Sequence, residues 1–174
     1  LLDTVYLALL AALLIPAVIT DIRHRRIPNI LTLPFWFIGI AAHGVLDGVP
    51  GLKEAGLGWL ILFAMTLPFW LLGWMGAGDV KLMAAVGALV GADLALDVLL
   101  GTVLAGLVLG VIQLARHGLL RQAWHRFVAM FGFSLAARKA TYIEPAQRER
   151  GLVLPYAIPI AIGTIAALIL ELYK

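Results

Sequence analysis

Apolar residues fall along the chain in stretches of about 20, the length at which a helix rising 1.5 Å per residue crosses a hydrocarbon core of roughly 30 Å. The first, Leu1 to Thr20, is interrupted only by Asp3 and Pro16 and stops at Asp21, Ile22, Arg23, His24, Arg25 and Arg26. Ile27, Pro28 and Asn29 mark a turn and helix start, and Ile30 to Leu46 makes a second span that ends at Asp47, Gly48, Val49, Pro50 and Gly51. Ala55 to Trp74 is a third, with a kink expected at Pro68. Met75, Gly76, Ala77, Gly78 and Asp79 form a glycine-rich connection into a fourth helix, from Val80 towards Gly91, which at that length is only about 20 Å long. Asp93 and Asp97 read as a polar turn before a fifth span, Leu94 to Ala115, and Leu152 to Leu172 is the sixth, with Pro155 and Pro159 in its first turns.

Between the last two spans lies the one extended polar region, Arg116 to Arg150, with seven Lys or Arg against two Glu. Within it Leu120, Ala123, Trp124, Phe127, Val128 and Phe131 recur at helical spacing opposite Arg121, Gln122, His125 and Arg126, the pattern of an amphipathic helix lying on the bilayer surface. Six spans with the N-terminus outside put eleven of the thirteen basic residues on the inner side and leave Lys53 and Lys174 outside. That asymmetry follows the enrichment of Lys and Arg in cytoplasmic flanks. The expectation is an all-α, polytopic membrane protein with six transmembrane helices and a basic cytoplasmic loop helix, 1–174 forming a single membrane-embedded domain.

Composition removes the alternatives to a membrane fold. Apolar residues make up 63% and charged residues 13%, against about 45 to 50% and about 25% in soluble domains. Basic charge follows the first apolar stretch and none precedes it, so a secretory signal peptide is not expected. With no cysteine there is no disulfide framework, thiolate metal site or cysteine nucleophile, and a formal charge of +3 is too small to point to a nucleic-acid partner.

The topology places Asp21, at the inner end of the first span, and Asp79, at the inner start of the fourth, at the same membrane face and similar depth. Ionisable groups near the hydrocarbon boundary usually pair or line a watery cavity. The ordinary reading of Asp79 is an N-cap, and that of Asp21 an ion pair with Arg23, Arg25 or Arg26. If the two meet, both carboxyl groups cannot ionise easily, so one acid and one anion coexist near neutral pH, as in aspartic proteases. The anion would take a proton from water attacking a peptide carbonyl, and the acid would protonate the carbonyl oxygen. Helix amides at Asp79 would favour it as base, and carbonyls at Asp21 would favour that residue as acid.

Other hydrolytic chemistries lack parts. Ser134 is the only serine and lies outside a Gly-x-Ser-x-Gly frame, and His24, His43, His117 and His125 form no His-Glu-x-x-His. The histidines read as solvated or interfacial residues, and neither metal nor cofactor is expected. Gly76 and Gly78, lacking Cβ atoms, would let the backbone turn sharply and a substrate strand approach the acid. Lys81 either tunes the acids or snorkels to headgroups, and Tyr156, beside Pro155 and Pro159, either lines the cavity or anchors at the interface. Gly106 and Gly110 form a small-xxx-small face expected to pack against another helix.

These residues resemble the type IV prepilin peptidases, membrane aspartyl proteases of the Gly-x-Gly-Asp type, over nearly the whole chain. The resemblance rests on Asp21 followed by Ile27, Pro28 and Asn29, on Gly76 to Leu82, and on Leu154, Pro155, Tyr156 and Pro159. It implies that Asp21 and Asp79 are the catalytic pair, that the site faces the cytoplasm of a bacterial inner membrane, and that the substrate is a prepilin whose short leader is removed. Larger bifunctional members carry a cytoplasmic domain with paired Cys-x-x-Cys motifs that N-methylates the trimmed pilin, and with no cysteine here methyl transfer is not expected. The compact form looks like the peptidase-only members serving Flp or tight-adherence pili and is similar in plan to archaeal preflagellin peptidases. Two alternatives stay open: a small ion- or proton-coupled transporter component, and a presenilin-like protease of signal-peptide remnants.

Overall fold

A computed structural model describes residues 4–121, 124 and 154–173, and among these there are five helices and no strand. They are α1 (Thr4–His24), α2 (Asn29–Leu46), α3 (Gly48–Leu71), α4 (Ala77–Arg116) and α5 (Ala157–Leu172). Among the described residues α1 to α4 are each long and apolar enough to cross a membrane, while α5, at 16 residues, is shorter. The chain divides into two compact units, Leu1–Gly106 with Pro155–Lys174, and Leu107–Leu154.

In the first unit, single residues end the helices. Arg25 takes a left-handed φ of 53° to stop α1, a conformation uncommon for a side chain of that size. Asp47 alone separates α2 from α3, so α3 begins at Gly48 and not near Ala55 as the apolar pattern suggested. After α3, Gly73 has φ 73°, its N–H donates to Trp70 at 2.9 Å, and the Trp74 N–H donates to Phe69 at 2.8 Å, the two bonds of a Schellman stop.

The expected polar turn at Asp93 to Asp97 is helical instead, and the break in α4 falls at Gly91, with φ 78° and ψ 179°. That backbone region is essentially restricted to glycine. The break reverses the chain. In a straight helix Met83 and Thr102 would stand about 28 Å apart, yet the Thr102 hydroxyl lies 4.0 Å from the Met83 sulfur. Similarly Asp79 and Gly106 would be about 40 Å apart, yet Asp79 lies within electrostatic reach of Tyr156, and a methyl group on Gly106 would stand 3.8 Å from Pro159 Cβ. The two halves of α4 therefore run antiparallel. Reversal frees the Ala92 N–H, and Glu54 of α3 accepts its hydrogen bond at 3.2 Å.

The first half of α4 is the centre of the bundle, with Val80 and every residue from Leu82 to Gly91 buried. Its Gly-Ala-Val composition suits that place, because between helices in lipid close packing replaces the hydrophobic drive. Gly58 of α3 meets Gly87 and Gly91 backbone to backbone, and Gly39 of α2 meets Ala88. Leu10, Leu13, Leu14 and Ala17 of α1 and Ala157 and Ile160 of α5 complete the same core. Within the first unit the second half of α4 packs on α5 through Gly101 and Gly163, and Gly106 comes near Pro159 alone among the described residues. The small-xxx-small face expected of Gly106 and Gly110 is not a tight packing face: among the described residues nothing stands within 4 Å of a Cβ placed on Gly110.

The second unit, in its described part, contains the last turns of α4 and their stop. Gly118 has φ 67°, and the Leu119 N–H donates to Leu114 at 2.9 Å. Leu120, Arg121 and Trp124 are helical, and the remainder of the expected surface helix, with Ala123, Phe127, Val128 and Phe131, lies outside the described residues.

Candidate active site

Asp21 occupies the last turn of α1 and Asp79 the first turn of α4, and both are buried, at 6% and 9% exposure. Asp79 is not itself the N-cap of α4: it is the third helical residue and reaches back, its Oδ2 accepting the Gly76 N–H at 2.9 Å. A Cβ on Gly76 would stand 3.0 Å from that oxygen, so a residue without one lets the carboxylate fold back on the turn.

Asp21 has a different partner from the arginines that follow it. Its Oδ2 accepts the Ala157 N–H at 3.0 Å, a buried bond between residues 136 positions apart. Ala157 is the first residue of α5, so Asp21 supplies the acceptor that this helix start otherwise lacks. Among the described residues Arg23, Arg25 and Arg26 pair with no carboxylate. Each acid therefore sits at a helix N-terminus, Asp79 at that of α4 and Asp21 at that of α5. Asp21 still stands at the carbonyl end of α1, but the Ala157 amide offsets those carbonyls, so the contrast on which acid and base were told apart from sequence is reduced.

The fold brings the two acids and Tyr156 together. Asp79 lies within electrostatic reach of Asp21, and the Tyr156 phenol within reach of Asp79. Pro155 and Tyr156 form the turn into α5, their carbonyls accepting the N–H groups of Ile158 and Ile160 at 3.2 Å each, and this turn aims Ala157 at Asp21.

Lys81 and Gly78 act on the frame around the acids. The Lys81 ammonium donates to Asn29 Oδ1 at 2.8 Å, and its carbonyl accepts the Trp36 indole N–H at 2.9 Å, so it ties α4 to α2. A Cβ on Gly78 would stand 3.2 Å from Ile27 Cβ and 3.3 Å from its carbonyl oxygen, so this glycine brings the start of α4 against the corner between α1 and α2. Among the described residues no group of three or more His, Asp or Glu is placed to hold a metal.

Sequence reasoning missed Ala157, which contributes only a backbone amide, although Pro155 signals a helix start whose first amides need acceptors. It also missed a second polar cluster, at the far end of α1 from Asp21, in which Tyr6 and His43 are buried and Asp47 is exposed. There the Tyr6 hydroxyl donates to Asp47 Oδ2 at 2.6 Å, and His43 places Nδ1 3.2 Å from the same oxygen and Nε2 3.2 Å from the Leu89 carbonyl. His43 is 7% exposed and stacks on Tyr6, so it is a core residue and not a solvated one. The i, i+4 spacing of His43 and Asp47 is the signal that could have found it.

The profile of the Type IV leader peptidase family matches residues 8–111, and the chain belongs to that family. It is 37% identical over 106 residues to a prepilin leader peptidase/N-methyltransferase of Xanthomonas campestris pv. campestris, an alignment covering 56% of this chain and 36% of that one. It is 31% identical over 116 residues to a protein of the same description from Myxococcus xanthus, covering 63% and 34%. The chain thus spans about a third of the length of the curated relatives it matches. No solved structure matches it.

Proposed function

We propose that this protein is a prepilin leader peptidase, an aspartic endopeptidase of the inner membrane in which Asp21 and Asp79 are the catalytic pair. The observation that carries the reading is that acids 58 positions apart are buried at two helix starts within each other's electrostatic reach. Burying two such groups in one place is costly unless they share protons or contact water, which is the condition for acid and base to cooperate. One carboxylate removes a proton from water as the oxygen attacks the scissile carbonyl carbon, and the other protonates the carbonyl oxygen. Collapse then breaks the C–N bond, with the proton passing to the departing amine.

In this reading the two antiparallel halves of α4 are the fourth and fifth of six spans, α5 belongs to the sixth, and the acids face the cytoplasm. Arg23, Arg25, Arg26 and Lys81 then share that side with Asp21 and Asp79, as the positive-inside tendency favours. Residues 1–174 form one peptidase domain, and its partners are a prepilin with its leader and the surrounding lipids. The Tyr156 phenol and the Gly76 turn border the space where the scissile bond would lie. No observation favours a transport pathway, whose acids would sit near the midplane between broken helices.

The test is cleavage of a prepilin in membranes by the native protein, Asp21→Asn and Asp79→Asn. Both variants should insert and leave the leader uncut. Full cleavage by either one overturns the assignment.

A further inference from the structure

The space beside the two acids has acceptors in surplus and few donors. Asp21 and Asp79 each present Oδ2 to one backbone amide, that of Ala157 at 3.0 Å and that of Gly76 at 2.9 Å, so both amides are already committed. Their Oδ1 atoms have no hydrogen-bond partner among the described residues, and neither is sealed off. The unpartnered side-chain oxygens and nitrogens buried out of reach there are Thr32 Oγ1 and Trp59 Nε1 alone. A peptide carbonyl entering this space is one more acceptor, with two lone pairs. The acid of the pair can serve one of them. The nearby cations do not serve the other: Lys81 donates to Asn29 Oδ1 at 2.8 Å, and Arg23, Arg25 and Arg26 lie exposed on the surface.

Tyr156 is the uncommitted donor. Its side chain is half-buried, its hydroxyl has no partner among the described residues and is not sealed off, and it lies within electrostatic reach of Asp79 with no bond joining them. The backbone around it is fixed on both sides. Pro155 precedes it, its own carbonyl accepts the Ile160 N–H at 3.2 Å, and the very next amide is held by Asp21. A neutral donor positioned in advance, with no bond of its own to give up, is suited to stabilising negative charge that develops during reaction. We propose that the Tyr156 hydroxyl is a third catalytic group, donating a hydrogen bond to the scissile carbonyl oxygen as water adds to the carbonyl carbon. This rests on the assignment of Asp21 and Asp79 as the catalytic pair. The phenol keeps its proton throughout: the acid of the pair protonates the carbonyl oxygen, and Tyr156 serves the lone pair that remains. Anchoring at the bilayer interface does not call for a place one residue from an amide bound to a buried acid.

Cleavage kinetics of the purified full chain on a prepilin in detergent test the proposal. Tyr156→Phe removes an oxygen that makes no bond in the folded protein, so the circular dichroism spectrum and the unfolding midpoint should match the native ones. Its kcat should fall by about 10² to 10³, the loss expected when one oxyanion donor is removed, with KM changed by no more than about twofold. Both limbs of the pH-rate profile should keep their positions. A native kcat in Tyr156→Phe overturns the proposal. So does a raised KM at unchanged kcat, which would make the ring a docking surface, and so does a displaced pH limb, which would make Tyr156 act through the ionisation of Asp79. A lowered unfolding midpoint that accounts for the lost activity overturns it too, by giving the hydroxyl a structural role. The Asp21→Asn and Asp79→Asn variants report separately. If both leave the leader uncut while Tyr156→Phe cuts at the native rate, the pair stands and the tyrosine contact falls; if either cuts fully, the pair itself falls.

Discussion

The two ends of α1 each carry a carboxylate cluster, buried at Asp21 and Asp79 and half-exposed at Asp47, and they are satisfied in different ways. At Asp47 one oxygen receives the Tyr6 hydroxyl at 2.6 Å and faces His43 Nδ1 at 3.2 Å, while the other His43 nitrogen meets the Leu89 carbonyl, so side chains from two helices and the connecting residue lock together. At Asp21 and Asp79 the partners are single backbone amides, of Ala157 and Gly76. Side-chain networks of the first kind fix a core in one arrangement. Carboxylates held by one amide each keep acceptor capacity for a reactant, while the amides fix where they stand. In the proposed function the first cluster serves stability and the second chemistry.

This contrast can be broken at several points. The largest effect is expected from Asp79→Asn, whose amide oxygen can still accept the Gly76 N–H, so the α4 start survives while cleavage falls by at least the roughly 10² to 10⁴ typical of an acid–base group. A leader-cleavage time course and an unchanged helical circular dichroism spectrum check the two halves of that statement. Next is Gly91→Ala, which places a side chain in a glycine-only backbone region at a cost of about 1 to 3 kcal/mol and should lower the unfolding midpoint in denaturing detergent. At the structural cluster Tyr6→Phe removes a hydrogen bond to a half-exposed carboxylate and should destabilise by about 0.5 to 1.5 kcal/mol with the cleavage rate per folded molecule unchanged. A fall in kcat with stability preserved would reverse the roles given to the two ends.

The smallest effect is expected at the exposed tie between Asn29 and Lys81. Asn29→Ala should slow cleavage by no more than about fivefold, the range of a surface pair, and Asn29→Asp should restore it by offering Lys81 an ionic partner. A loss as large as that of Asp79→Asn would place Lys81 with the catalytic groups.

Helices and candidate acids were legible in the sequence because apolar length and isolated charge are local signals. Asp21 and Asp79 stood out as ionisable residues at the ends of apolar runs, and the fold does bring them near one another. The connections were less legible. The turn expected at Asp93 and Asp97 lay at Gly91, because Glu54, from another helix, supplies the acceptor for Ala92 that makes a one-residue break tolerable. Asp21 was set against its neighbouring arginines, whereas its partner is a peptide amide 136 positions away that no side-chain pattern reveals. His43 read as interfacial because its three contacts, to Tyr6, Asp47 and the Leu89 carbonyl, exist only once α1, α2 and α4 have assembled.

Gly91 also lets one polypeptide fold its long helix back on itself. If its two flanking segments ran straight on, they would form a rod of about 60 Å, twice the thickness of the hydrocarbon layer. Neither segment could then find its mate within the same polypeptide, and only a neighbouring copy could supply it. A single residue lacking a side chain thus lets both segments pack within one polypeptide, without the exchange of halves that a straight rod would call for.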